Sequence, residues 1–202
     1  MNFRDISTEE QSIYTLTENE QCVFFMLNRS GEVTFELAGQ HAKAYIFALF
    51  LGKEDSYTLD IKQLHRAPHT TSQVITKSIL HDQSTVAYTG LIHIDELAHE
   101  SDASQESRAL LLSPDARHTA IPSLEILPRD VTSLHKASAA PLNQESLFYL
   151  QSRGLNKDES TRMLIDGFIM SLLEDISSLG INDEQLTSLQ KTISQKTHSL
   201  YA

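Results

Sequence analysis

Cysteine is almost absent from this sequence. The 202 residues include one, Cys22, in the apolar segment CVFFML, so no disulfide can form within the chain. A single thiol also excludes a conventional iron–sulfur cluster held by this chain alone, because such clusters commonly take about four thiolates. The lack of disulfides is typical of a reducing compartment. We therefore expect a cytoplasmic protein in which Cys22 is a small buried side chain rather than a nucleophile.

Positive charge and long hydrophobic runs are also scarce. The chain has 16 Lys and Arg against 27 Asp and Glu, a formal net charge of −11, which repels nucleic acids and anionic lipid surfaces. The longest apolar run, AYIFALFL, is far shorter than the roughly 20 residues that span a bilayer. The amino terminus has no apolar signal core. We expect neither a nucleic-acid partner nor a membrane partner.

Several motifs that mark enzyme classes are missing. The sequence contains no P-loop and no GxGxxG, HExxH, GxSxG or CxxC pattern. Nucleotide-binding, zinc-protease, hydrolase and thioredoxin chemistry therefore have no support from motifs, and we do not expect an enzyme of these classes.

Between about residue 18 and residue 140 the hydrophobic pattern is that of β-strands. VTFEL places Val33, Phe35 and Leu37 on one face, and YTLDI and TVAYTGLIHI alternate in the same way. VFFML and YIFALFL are apolar at consecutive positions, which indicates strands covered on both faces. Polar turns such as LGKEDS, HDQS and SPDA separate the strands. This spacing is typical of a sandwich, a barrel or a solenoid, and no sharp repeat selects among them.

After Pro141 the pattern becomes helical. Three asparagines stand where helix N-caps are expected: Asn143, Asn156 and Asn182. Glu159 completes a capping-box pattern for the second helix, which carries an apolar stripe from Leu164 to Ile176. Strands followed by helices favour an α+β arrangement. We expect a β domain at 1–141 and a C-terminal helical domain at 142–202.

Histidine is the most abundant candidate for chemistry, with nine residues. Two short segments, LHRAPHTT and LIHIDELAHE, hold the candidate ligands of a mononuclear metal site: His65, His69, His93, His99 and Glu100. One hypothesis is a small β-fold enzyme that binds a metal through them. The alternative is a set of hydrogen-bonded turn histidines, because metal ligands usually show tighter spacing and supporting carboxylates.

Four segments resemble, in order, motifs of the SufB/SufD family, the scaffold proteins of the SUF iron–sulfur cluster assembly system. The family's PxTxS, LLLSxxA, PxLEI and FYLxSRG patterns are similar to segments beginning at Pro68, Leu110, Pro122 and Phe148. The resemblance covers about residues 65–173, and the ordered combination is more specific than any one motif. It implies a right-handed parallel β-helix followed by a small helical domain.

The resemblance also implies partners. Family members pair through their β-helices, with a SufB-like subunit or a second copy, and their helical domains engage a SufC-type ABC ATPase. The residues of this chain that the resemblance assigns to ATPase docking lie in the helical segments: Phe148, Tyr149, Arg153, Gly154, Arg162, Met163, Asp166 and Phe168. The scaffold itself does not hydrolyse ATP. An amphipathic stripe more often packs on the protein's own core, so we expect docking only through its exposed members.

His135 is the candidate metal contact that the resemblance implies. In DVTSLHKAS it matches the histidine of a family segment at the subunit interface, where iron or a nascent cluster is handled. Neutral imidazole suits iron, although a solvated strand histidine is an equal alternative. We expect no cofactor bound by this chain alone, only transient iron or a cluster shared with a partner.

Three departures from the family bear on this expectation. Ser107 and Ser133 stand where members have cysteines, and Lys136 replaces a glycine. The missing thiols make the chain more similar to SufD than to SufB. It is also shorter than typical members, so we expect the family's N-terminal helical domain and part of the β-helix to be absent. A structural oligomer that kept the fold without the cluster function is a third hypothesis.

Overall fold

The computed structural model describes residues 1–201, with side chains as far as residue 197. This part of the chain forms eleven β-strands and then three α-helices. The strands are β1 (Asn2–Asp5), β2 (Ile13–Leu16), β3 (Gln21–Leu27), β4 (Gly31–Leu37), β5 (Lys43–Gly52), β6 (Ser56–His65), β7 (Thr71–Leu80), β8 (Thr85–Ile94), β9 (Asp102–Leu111), β10 (Arg117–Ile126) and β11 (Thr132–Pro141). The helices are α1 (Gln144–Ser152), α2 (Lys157–Ser178) and α3 (Asp183–Tyr201).

The strands alternate between two parallel sheets. Odd-numbered strands form a six-stranded sheet in the order β1-β3-β5-β7-β9-β11, and even-numbered strands form a five-stranded sheet in the order β10-β8-β6-β4-β2. Each strand therefore pairs with the strand two positions away in the sequence, and the chain coils as a β-helix. The solenoid among the three predicted architectures is correct, and so is the β-helix that the resemblance implied. Strands β1 and β2, which lie before residue 18, were missed.

The interior of the β-helix changes character along its length. Near the amino terminus it is apolar, and the rings of Tyr14, Phe24 and Phe35 pack with centroids 4.8–5.5 Å apart. The strand positions predicted to face inward, among them Val33 and Leu37, are buried, except Tyr57, which is half-buried. Toward the carboxyl terminus a small apolar cluster that includes Ile92 and Ile94 remains, but several buried interior residues are polar: Gln63, His65, Ser72, Gln105 and Ser107.

The helices α2 and α3 pack on the outer face of the six-stranded sheet. The stripe of α2, including Ile165 and Leu172, forms a second core with Phe25 and Phe47 of β3 and β5. This contact explains why VFFML and YIFALFL are apolar at consecutive positions, since those strands are buried on both faces. The stripe thus packs on the protein's own core, as amphipathic helices usually do.

A buried lysine of β7, Lys77, contacts α2 beside this second core. It is 2% exposed, and its amine donates hydrogen bonds to the carbonyl oxygen of Phe168 and to Ser171. Its ammonium group lies 4.8 Å from the centroid of the Phe168 ring. Burial lowers the pKa of Lys77 to about 8.

The predicted helix caps are confirmed. Asn143 accepts a hydrogen bond from the backbone N–H of Ser146, and Asn156 and Glu159 form a reciprocal capping box. Asn182 accepts from the backbone N–H of Gln185. Strand β11 ends at Pro141 and α1 begins at Gln144. In the described part of the chain, no helix is both long and apolar enough to span a bilayer.

Candidate functional site at the open end of the β-helix

The last coil of the β-helix, formed by β10 and β11, is open to solvent. Strand β11 pairs only with β9, and β10 pairs only with β8, so each has an unpaired edge within the described chain. Nearly all residues of both strands are at least partly exposed. Large apolar side chains are exposed on this coil and its loop: Ile121 (58%), Leu124 (38%), Leu127 (62%) and Leu134 (49%). An open, apolar sheet end of this kind invites another chain.

His135 lies on the interior-facing side of this last coil. It pairs in register with Gln105 of β9, and alternate residues of β9, Gln105 included, are buried in the interior. Side chains in register on paired strands share a face, so His135 continues the column of interior side chains. It is exposed because no further coil of the described chain covers it. The structure therefore sets His135 at the mouth of the interior.

Polar side chains lie beneath this mouth. Gln105 accepts a hydrogen bond from the Tyr88 hydroxyl at 3.0 Å and donates one to the carbonyl oxygen of Gly90 at 3.3 Å. These two hydrogen bonds hold the Gln105 amide in place.

A second set of polar side chains makes hydrogen-bond contacts between consecutive coils. The Thr76 hydroxyl donates to Ser107 Oγ at 2.7 Å, and Ser107 Oγ lies 3.0 Å from His118 Nε2. Burial lowers the pKa of His118 and so favours the neutral ring. His118 Nδ1 is buried without a hydrogen-bond partner, as is Ser133 Oγ. These two orphaned groups occur in the same coil as His135.

The histidines of the metal-site hypothesis lie apart. His65 is fully buried, with its ring nitrogens 2.7 Å from the hydroxyls of Thr70 and Ser72. Burial lowers its pKa to about 4, which keeps the ring neutral. It is therefore a hydrogen-bonded core histidine.

The other three candidate histidines lie outside the β-helix interior, and each pairs with different carboxylates. His93 contacts Asp95 and Glu125 at 2.6 and 2.8 Å, and these carboxylates raise its pKa. His69 contacts Glu100 at 3.4 Å. A further pair joins His99 to Asp130 at 3.0 Å.

In the described residues, no three His, Cys, Asp or Glu side chains are grouped so that they could hold a metal ion. The described residues therefore give the hypothesis of a mononuclear metal site at His65, His69, His93, His99 and Glu100 no support, and the histidines form separate hydrogen bonds and ion pairs, as the alternative held. Parallel strands distribute these residues between the interior and different turns, whereas their closeness in sequence suggested one cluster.

Cys22 is buried and remote from this end. It is 3% exposed, and burial raises the pKa of its thiol to about 11. Its strand, β3, is separated from β11 by three strands of the same sheet. The thiol is therefore a poor nucleophile and a buried apolar side chain, as the sequence indicated.

The helical candidates for partner contact divide into an exposed group and a packed one. Phe148 and Tyr149 of α1 are 74% and 56% exposed, and Met163 of α2 is 51% exposed. A shallow cavity between α1 and α2 is lined by Tyr149 and Met163 together with apolar neighbours. The guanidinium of Arg153 lies over the Tyr149 ring, 5.1 Å from its centroid.

The remaining helical candidates differ in exposure. Gly154, Arg162 and Asp166 are exposed, and Gly154 ends α1 with φ +98°. Phe168 is only half-exposed, because its ring packs on Lys77. Phe168 therefore belongs mainly to the second core, a fact that its sequence motif did not reveal.

Sequence reasoning missed the pairing of Ser107 with His118. The sequence marks Ser107 only as the position of a cysteine in the family, and no motif marks His118. The available signal was a histidine at an alternating position of the RHTAIPSLEI strand, which β-strand periodicity turns toward the interior.

Comparisons with known proteins agree with the fold. The family model described as SUF system FeS cluster assembly, SufBD core domain, matches residues 22–168. An iron-sulfur cluster assembly SufBD family protein of Mycobacterium bovis is 33% identical over 141 residues, which cover 69% of this chain and 17% of the relative. A protein of the same description from Staphylococcus saprophyticus is 31% identical over 141 residues, covering 69% of this chain and 30% of the relative.

This chain thus spans less than a third of the length of either relative. The family model nevertheless covers most of the chain, from the second residue of β3 through β11 and α1 into α2. The chain belongs to the SufBD family of SUF-system iron–sulfur cluster assembly proteins.

Proposed function

We propose that this chain is a SufD-like scaffold subunit rather than an enzyme. It pairs through the open end of its β-helix and docks a SufC-type ABC ATPase through its C-terminal helices. The observation that carries the proposal is the last coil, where two unpaired strand edges and exposed apolar side chains surround the mouth at His135. We propose the cytoplasm as its compartment, because the single cysteine forms no disulfide.

Pairing follows from the exposed edges of β10 and β11. Unpaired N–H and C=O groups at a sheet edge are satisfied when a second chain adds its own strand. The apolar side chains on this coil, Ile121 and Leu134 among them, supply area that is removed from water on contact. The partner is a second copy or a SufB-like subunit.

His135 becomes part of a shared site when a partner covers the mouth. An imidazole is a suitable ligand for iron. Because Ser107 and Ser133 supply no thiolate, sulfur ligands for iron or a cluster come from the partner. Contact with metal is transient, and this chain alone holds no cofactor.

The ATPase docks on the exposed surface of α1 and the start of α2. Aromatic residues and methionine are enriched at protein interfaces, and Phe148, Tyr149 and Met163 are the large apolar side chains exposed there. Arg153 and Gly154 flank this group. Arg162 and Asp166 add charged side chains along α2. The ring of Phe168, also in α2, packs on Lys77 and helps to hold the helix on the sheet.

Co-purification of the tagged chain with the SufC-type ATPase of the same organism tests the docking. Removal of all residues after Pro141 would uncover the apolar face of the six-stranded sheet, so surface variants are the better design. Tyr149→Glu combined with Met163→Glu should abolish the complex. Met170→Glu is the matched control, because Met170 is 46% exposed on the same helix but does not line the cavity beside α1.

Light scattering during size-exclusion chromatography tests the pairing, both for the chain alone and with a SufB-like subunit. Leu134→Glu should convert dimers to monomers, and Leu97→Glu, a loop residue that is 74% exposed, should not. His135→Ala should then lower the iron retained by the complex without dissociating it. A dimer that neither binds the ATPase nor retains iron would contradict the proposal and identify a structural oligomer.

A further inference from the structure

A cavity of about 600 Å³ lies at the carboxyl ends of the strands of the six-stranded sheet. Gly52, Leu80, Leu111 and Pro141 end their strands in register. The residues that follow form the next row and line the cavity: Lys53, His81, Leu112 and Leu142. The opposite wall consists of α1 and the first turns of α2, so the cavity is bounded by three different parts of the fold.

The charge of this cavity is opposite to that of the protein. Lys53, Lys157 and Arg162 line it, and Asp158 is its only carboxylate among the described lining residues. The chain as a whole has a net charge of −11. Like-charged walls around a concave site concentrate the field and attract ions of opposite charge. The local excess of cations therefore favours an anion.

The remaining lining is apolar. Leu111, Leu112, Leu142 and Leu147 contribute to the cavity, and all four are buried or half-buried. Ligand sites of 300–1,000 Å³ typically combine such apolar walls with a few polar groups that orient the ligand. A bare inorganic ion leaves these leucines unused, so the preferred ligand carries an apolar part as well as its charge.

We propose that this cavity binds an organic phosphate. Lysine and arginine are the side chains that most often recognise phosphate, lysine as a point charge and arginine through paired donors. The amide of Gln144 and the hydroxyl of Thr161 line the same cavity and supply further donors. The four leucines contact the apolar part of the organic phosphate, its base or acyl group. This inference does not depend on pairing, and it shares only Arg162 with the proposed ATPase-docking surface.

Isothermal titration calorimetry of the purified full chain tests the site. The probes are adenosine diphosphate, pyrophosphate and adenosine in about 50 mM NaCl. Adenosine diphosphate should bind more tightly than pyrophosphate, adenosine should bind least, and raising the salt should weaken binding because the attraction is electrostatic. Lys53→Gln with Lys157→Gln should lower the affinity for adenosine diphosphate about 10-fold or more, since each cation removed weakens a charge-assisted contact.

Lys136→Gln with Lys191→Gln is the matched control, because it removes the same two positive charges from exposed positions of β11 and α3 that do not line the cavity. Circular dichroism of each variant checks that the fold is retained. The proposal is overturned by no heat of binding at millimolar adenosine diphosphate, or by equal affinity in the double variant and the control. A glutamate-rich peptide that binds more tightly than adenosine diphosphate would also overturn it, because the occupant would then be an acidic protein segment.

Discussion

Acidification should destabilise this protein through His65. Its ring is fully buried between the hydroxyls of Thr70 and Ser72, and burial lowers its pKa from 6.5 to about 4. Between these two values the unfolded chain binds a proton that the folded chain does not bind. The free energy of unfolding therefore rises with pH in this window and falls as the pH is lowered through 6.5.

The loss of unfolding free energy follows from the difference between the two pKa values of His65. Each pKa unit corresponds to about 1.4 kcal/mol, so the full loss is about 3 kcal/mol near pH 4, and about 2 kcal/mol of it occurs between pH 7 and pH 5. Urea unfolding followed by circular dichroism at pH 7, 6 and 5 measures it. His65→Gln should be less stable than the wild type at pH 7, because it disturbs two hydrogen bonds, yet should lose less stability on acidification.

The comparison between variants isolates His65 from other titrating groups. His41→Gln, which replaces an exposed histidine, is the control for the loss of a histidine side chain. The reasoning is refuted if His65→Gln loses as much stability between pH 7 and pH 5 as the wild type does.

Three further predictions concern stability. His93 should act in the opposite sense to His65: Glu125 and Asp95 raise its pKa, so its stabilising contribution is complete below pH 6.5 and is lost as the pH rises through the raised value. Urea unfolding of His93→Gln between pH 6 and 9 should show a flatter profile than the wild type. Lys77→Ala removes buried methylenes as well as two hydrogen bonds and should lower the free energy of unfolding by about 2 kcal/mol. Lys77→Met should lower it less, and equal losses in the two variants would contradict the packing role of the Lys77 side chain. Leu172→Ala, at a fully buried position of α2, should cost about 2–5 kcal/mol, and an unchanged urea midpoint would show that α2 is not docked on the sheet.

The strands and caps were predictable because their signals are local. Alternation at Val33, Phe35 and Leu37 marks one face of a strand, and Asn156 with Glu159 marks the start of a helix, whatever surrounds them. The four-residue strands β1 and β2 were missed because segments of that length show too little periodicity. Their assignment depends on parallel pairing with β3 and β4.

The site was less predictable because it depends on register between coils. Ser107 and His118 are eleven residues apart, and their contact requires the turn between β9 and β10 to bring them together in the interior. The motif match singled out His135, but only its pairing with Gln105 assigns it to the interior-facing side. In the same way, the nearness of His65 to His69 in sequence suggested a cluster, whereas the turn between them sends one ring inward and the other outward.

The helices α2 and α3 cover only part of the six-stranded sheet. Residues of β3, β5 and β7 pack against α2 and α3, whereas β11 contributes nothing to that core in the described residues. In a solenoid each coil is stabilised mainly by its neighbours, so a terminal coil without helix cover opens at the lowest free energy. Backbone amide hydrogen exchange should be slow in β5 and become faster toward β11. The coil that carries His135 is then the first to open and the one whose exchange a bound partner would slow most.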